Sequence, residues 1–177
     1  TPKPSSAASD VYKRQNLNSD EELKIFRELS PDIAVVVAYG QIIPKKFLNI
    51  AKFGFINIHA SLLPKWRGAA PIQWAIINGE AETGVTIFQL SPRVDAGDVL
   101  IQEKVAIGED ETAGELYGWM KVKGAELLVR AINGVSDSSL MPVPQTDEGV
   151  TRAPKLEKDV GKDVFRRRSY DDEDIMP

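Results

Sequence analysis

The sequence predicts an α/β fold with a mostly parallel sheet flanked by helices, and three observations carry that prediction. Residues 33–39, IAVVVAY, form a continuous apolar run rich in β-branched side chains, which suits a strand covered on both faces. A capped amphipathic segment precedes this run, and a second apolar run, GFINIHA at residues 54–60, follows it. The 177 residues fit a prior of about one domain, and 42% hydrophobic with 27% charged residues is the balance of a folded chain.

Residues 1–17 show neither a basic stretch followed by an apolar one, as in a secretory signal, nor an Arg-rich transit pattern, and they read as a loose or foreign end. Order is expected from Ser19, which stands three residues before Glu22 in capping-box spacing; Leu23, Phe26 and Leu29 then line one face of a short helix ending before Pro31. After the Gly40 turn, Pro44 suits the first position of another short helix, and the two apolar strands with this helix between them make a βαβ unit. Residues 69–78 read as a helix closed by Gly79. TGVTIFQL and DVLIQEKVAI read as strands joined by the turn-rich SPRVDAG. Thr112 and Glu115 repeat the capping-box spacing at the head of a long helix that reaches about Asn133, with Gly134 as its stop. The folded domain thus covers residues 18–134, residues 135–158 form a linker-like extension, and residues 159–177, where RRRSY meets DDED, read as a disordered tail.

Composition narrows the chemistry. The absence of Cys excludes disulfides, zinc-thiolate and iron–sulfur sites and cysteine nucleophiles, and it suits a reducing compartment, so a cytoplasmic location is expected. A net charge of -4 supplies no overall electrostatic footprint for nucleic acid or an anionic membrane. A lone His without clustered carboxylates has poor metal-ligand spacing, so no metal is expected. The sequence lacks GxGxxG, GxxxxGK[ST], GxSxG and HExxH, which removes dinucleotide, P-loop, hydrolase-elbow and zincin readings.

What remains is concentrated at one strand end. Side chains alternate along a strand, so Asn57 and His59 share a face roughly 6.6 Å apart. The plain alternative is a turn Asn beside a hydrogen-bonded structural His. The loop that follows, SLLPKWRG, sits where a parallel sheet places its ligand-binding loops, beyond the carboxyl ends of the strands, and its apolar residues suit a flat heteroaromatic ligand. Lys65 and Arg67 fit an anion grip or a solvated loop face equally well. Asp95, in a Gly-containing turn, is either ordinary turn chemistry or a carboxylate that accepts the second ring N–H of His59 and stabilises its charged form.

The ordered set of Asn-x-His in FINIHA, SLLP, RGAAP and VDAGD resembles the catalytic domain of the folate-dependent formyltransferases. The resemblance implies that Asn57, His59 and Asp95 are catalytic, and that Ser61, Leu62, Leu63 and Pro64 form the folate-binding loop, with Tyr39, Gly40 and Gln41 along the pterin pocket. It implies a partial Rossmann-like domain, with 10-formyltetrahydrofolate as donor and an amine as acceptor. RGAAPIQWAI is most similar to the branch whose acceptor is methionyl-tRNA, rather than to those acting on amino sugars, on glycinamide ribonucleotide or on water. Compared with that branch the N-terminal strands and tRNA-contacting parts are missing, so the chain is expected to be an internal piece with its site present, barely active alone and at most a weak tRNA binder.

Overall fold

A computed structural model describes residue 17 and residues 19–157, and within them the α/β class holds. The expectations for residues 1–16 and 158–177 lie outside the described residues. The elements in chain order are α1 (Asp20–Leu29), β1 (Ala34–Val36), α2 (Lys45–Leu48), β2 (Phe55–His59), β3 (Arg67–Gly68), α3 (Pro71–Ile77), β4 (Glu82–Gln89), β5 (Val99–Ala106), α4 (Ala113–Ser136) and β6 (Arg152–Ala153).

Both capping signals form the caps expected of them. The Glu22 N–H donates to Ser19 Oγ at 3.1 Å. Thr112 and Glu115 close a full capping box at the head of α4. Gly134, in contrast, does not stop that helix, which runs on to Ser136. A Cβ at Gly134 would stand 2.7 Å from Leu140 Cβ, so this glycine lets the following chain fold back against the helix.

Four strands form one sheet in the order β1-β2-β4-β5. β1 and β2 are parallel and enclose α2, the expected βαβ unit. β4 is antiparallel to both β2 and β5, so the sheet is mixed where the sequence suggested mostly parallel. For β4 and β5 the cause is loop length, since residues 90–98 are fewer than the dozen or so that a parallel crossover requires; β4 meets β2 antiparallel across the longer residues 60–81.

Alternation along β2 splits the core in two. Ile56 joins Val85 and Ile87 beneath α4, against Leu116, Met120 and Leu127, with Ile72 of α3 in the same cluster. Gly124 permits this approach, since a Cβ there would lie 3.0 Å from Ile58 Cγ2. Phe55 faces the other way into Leu23, Phe47 and Ala51, where Phe26 stacks on it at 5.5 Å. Asn57 and His59 follow Phe55 on this second face.

Two expectations fail. β1 spans three residues rather than seven because the chain turns at Ala38, whose φ is +48°, and Val35 and Val37 are 42% and 57% exposed rather than covered. Residues 135–158 are no free linker as far as they are described. Val143 and Val99 exchange both backbone hydrogen bonds at 2.8 Å, β6 pairs in parallel with β3, and Trp74 Nε1 donates to Pro154 O at 2.8 Å. These pairings are too short to leave a periodic pattern in the sequence.

Candidate active site

β2 delivers Asn57 and His59 to the carboxyl end of the parallel pair, and the loop beyond it folds back to hold the ring. His59 is 6% exposed, lies edge-on to Phe88 at 6.3 Å, and donates from Nε2 to Trp66 O at 2.8 Å. That bond fixes the proton on Nε2 and leaves Nδ1 facing Asp95 Oδ2, 3.7 Å away. The sequence brought this pair together correctly. In place of the expected direct hydrogen bond there is a wider approach that becomes an ion pair when Nδ1 carries a proton, and Asp95 Oδ2 also accepts from the Gly68 N–H at 2.8 Å.

Asn57 is the anomaly. Its Oδ1 is buried without a hydrogen-bond partner. Leaving a buried polar atom unpaired costs about 1–3 kcal/mol.

The loop of residues 61–64 is stitched to the sheet from below. Thr86, fully buried on β4 opposite His59, donates from Oγ1 to Ser61 O at 2.6 Å and accepts from the Leu63 N–H at 3.2 Å. Gln102, its cross-strand neighbour on β5, donates from Nε2 to Leu63 O at 2.7 Å and to Thr86 Oγ1 at 2.9 Å. Ser61 Oγ closes the turn on Lys65 O at 2.6 Å, and the Leu63–Pro64 bond is cis. Leu62 lies over Gly84, where a Cβ would come within 2.5 Å of its Cδ2. Leu62 and Pro64 stay half-exposed while Ser61 and Leu63 are buried.

Lys65 points away into an ion pair with Glu80 at 2.9 Å, so it grips no anion here. Arg67 is half-buried and donates from Nε and Nη2 to Gln145 Oε1 at 3.1 and 2.6 Å. Burial, more than any other cause, lowers this guanidinium from its ordinary value; Arg93 and Arg152 push the same way and Asp147 and Asp95 oppose them. Tyr39, Gly40 and Gln41 lie past the carboxyl end of β1, beside the corresponding end of β2, and are exposed. Among the described residues no group of His, Cys, Asp and Glu is arranged to hold a metal ion, and no helix is long and apolar enough to cross a membrane.

The sequence model of formyl transferases matches residues 2–132. The chain belongs to the formyltransferase family. The match starts inside the segment that the sequence expectation left outside the domain. The methionyl-tRNA formyltransferase of Parvibaculum lavamentivorans is 48% identical over 157 residues, which are 89% of this chain and 51% of that protein. The chain therefore spans about half the length of the curated relatives it matches. A sugar N-formyltransferase structure from a Shewanella species is 25% identical with a TM-score of 0.68, covering 81% of this chain and 60% of that one. The formyltransferase PseJ from Anoxybacillus kamchatkensis, solved with tetrahydrofolate and a UDP-linked formamido sugar, is 25% identical with a TM-score of 0.64 and covers 76% and 69% of the two chains.

Sequence reasoning missed Thr86, Gln102 and Gln145. Thr86 is the one polar side chain between Val85 and Ile87 in an apolar strand, a signal that was there to be used; Gln145 sits in the unpatterned MPVPQTD and offered none.

Proposed function

We propose that this chain is the catalytic segment of a cytoplasmic methionyl-tRNA formyltransferase, which moves the formyl group of 10-formyltetrahydrofolate onto the amino group of methionyl-tRNA. The observation that carries the reading is the half-buried Asn57 carboxamide, whose Oδ1 has no partner, on the same strand face as a histidine fixed through Nε2 and faced by Asp95 through Nδ1. The named relative at 48% identity supports the choice of acceptor.

Formyl transfer forms a bond between the amine nitrogen and the formyl carbon, breaks the bond from that carbon to the folate nitrogen, and moves a proton from one nitrogen to the other. Each demand has a residue. Asn57 Nδ2 donates to the formyl oxygen as it gains negative charge, a contribution worth about 2.7–4 kcal/mol per donor in other enzymes. Protonated His59 offers Nδ1 as a second donor, and Asp95 balances the ring's charge and, through a water, relays the proton. Ser61, Leu62, Leu63 and Pro64 hold the donor, with Tyr39, Gly40 and Gln41 on the neighbouring strand end. The reaction asks for no metal ion.

A second reading changes only the acceptor: the similar solved structures include sugar N-formyltransferases, so an amino sugar is the alternative amine. The test grafts this segment into the full-length Parvibaculum relative and measures consumption of 10-formyltetrahydrofolate with methionyl-tRNA, with a nucleotide-linked amino sugar, or with no acceptor. Consumption that depends on methionyl-tRNA is expected. Faster consumption with the amino sugar would establish the alternative, and consumption without an acceptor would make the protein a hydrolase.

A further inference from the structure

We infer that Gln145 is a positioning residue of this site: it clamps the loop of Asp95 at its distance from His59. The inference rests on the role given to Asp95 above. A primary amide has two N–H donors and two acceptor lone pairs, and all four are engaged here. Oε1 accepts from Arg67 Nε and Nη2 at 3.1 and 2.6 Å. Nε2 donates to Asp95 O at 3.0 Å and to Gly97 O at 2.7 Å.

The Asp95 loop needs an external hold. Asp95 itself is left-handed, with φ of +49°, a conformation that costs an L-residue energy and that the surroundings must enforce. Val94 is 52% exposed, so the loop tip has no apolar anchor. Its remaining backbone bonds are internal or at its base: Ala96 N–H to Arg93 O, and Gln89 N–H to Asp98 O. From outside come the Gly68 N–H on the carboxylate and the Gln145 amide on the backbone.

The opposite end of the clamp is tied to His59. Arg67, which holds Gln145, follows Trp66, whose carbonyl accepts from His59 Nε2, and precedes Gly68, which donates to Asp95. Ring, loop and carboxylate thus form one closed circuit through Gly68, and Gln145 adds a second tie, from Arg67 to the backbone of the Asp95 loop. It does so across 50 residues of sequence from Asp95 and 78 from Arg67.

Two substitutions separate this role from simple bracing. Gln145→Ala removes every bond. Gln145→Glu keeps the acceptor for Arg67, and strengthens it with charge, yet presents lone pairs where Asp95 O and Gly97 O need donors. The readout is the 15N signal of His59 Nδ1 at a single pH in the full 177-residue chain, unambiguous because the chain has one His. Asp95→Asn calibrates how that nitrogen senses the carboxylate. Both Gln145 variants, shown folded by cooperative melting, are expected to move the signal in the same direction as Asp95→Asn and by most of its displacement. A Gln145→Glu protein that melts like the parent and leaves the Nδ1 signal at the parent position, while Asp95→Asn moves it, overturns the inference alone. An Asp95→Asn protein whose Nδ1 signal does not move overturns the role of Asp95, and the inference with it.

Discussion

The carboxyl ends of β1 and β2 lie side by side, yet they are held by opposite means. Past β2, Ser61 is buried beside His59 and Thr86, and the backbone of Ser61, Leu63 and Trp66 is bonded by side chains from β4, β5 and the segment near residue 150. Past β1, Val37 and Ile42 are 57% and 70% exposed, and the chain reverses on a short backbone bond from the Gln41 N–H to Tyr39 O. The contrast separates two jobs. The hydrogen bonds that place His59 and Asp95 come from residues 59–68, 86–102 and 145–151, whereas the residues past β1 stay exposed.

Four measurements would break or sharpen this division, beginning with the largest effect. His59→Ala and Asn57→Ala are each expected to lower turnover by about a hundredfold or more with donor KM nearly unchanged, since both groups act on charge that develops in the transition state. A loss confined to KM would move these residues from chemistry to binding. Next comes Thr86→Val, which preserves shape and strands the Ser61 carbonyl and Leu63 N–H. Unfolding in urea should report a loss of about 1–3 kcal/mol together with weaker donor binding, and Thr86→Ser should recover both. Donor affinity untouched by Thr86→Val would show that the loop keeps its shape without help from β4.

Thr112→Ala deletes the cap of α4, far from the site, and is expected to cost about 1 kcal/mol with donor binding unaltered. The same cap is acid-sensitive. Hydrogen bonds from the Thr112 N–H and hydroxyl lower the Glu115 carboxyl from its ordinary value. The folded state therefore binds fewer protons than the unfolded one in that range, so the contribution of Glu115 is complete above the ordinary carboxylate value and disappears as pH falls through the lowered one. Acid titration of stability in the Thr112→Ala protein should keep the larger part of that component, from the backbone N–H of residue 112, and lose the part supplied by the hydroxyl. The smallest effect belongs to the β1 side: Ile42→Ser should leave stability within about 0.5 kcal/mol, as for exposed positions generally. A larger loss there would mean that the exposed turn supports the fold after all.

Much of this architecture was legible because its signals are local. Ser19 with Glu22 and Thr112 with Glu115 need only three-residue spacing to be read, and the polar face of FINIHA needs only alternation. The approach of His59 to Asp95 was legible through the ordered motif set, and even there the ring's partner on Nε2, the Trp66 carbonyl, was invisible because a backbone acceptor has no residue type. The pairing of β4 with β2 and the docking of residues 140–157 join segments distant in the chain, and no short window of sequence contains both partners. Gly134 misled for a related reason: a glycine required by a neighbour's approach looks the same in sequence as one required by a turn.

The parallel pairing of β3 with β6 sets a timetable for the molecule. Trp66 N–H finds its acceptor, Thr151 Oγ1, 85 residues further along the chain, and Gly68 fits there because a Cβ would fall 2.4 Å from Ala153 O. A nascent chain can close the β4–β5 hairpin and lay α4 across it as soon as those neighbours emerge, but the corner that carries His59 and Asp95 must wait for residue 153. Synthesis therefore delivers a folded scaffold first and the corner of His59 and Asp95 last, so that an interrupted translation product would own the sheet and lack that corner.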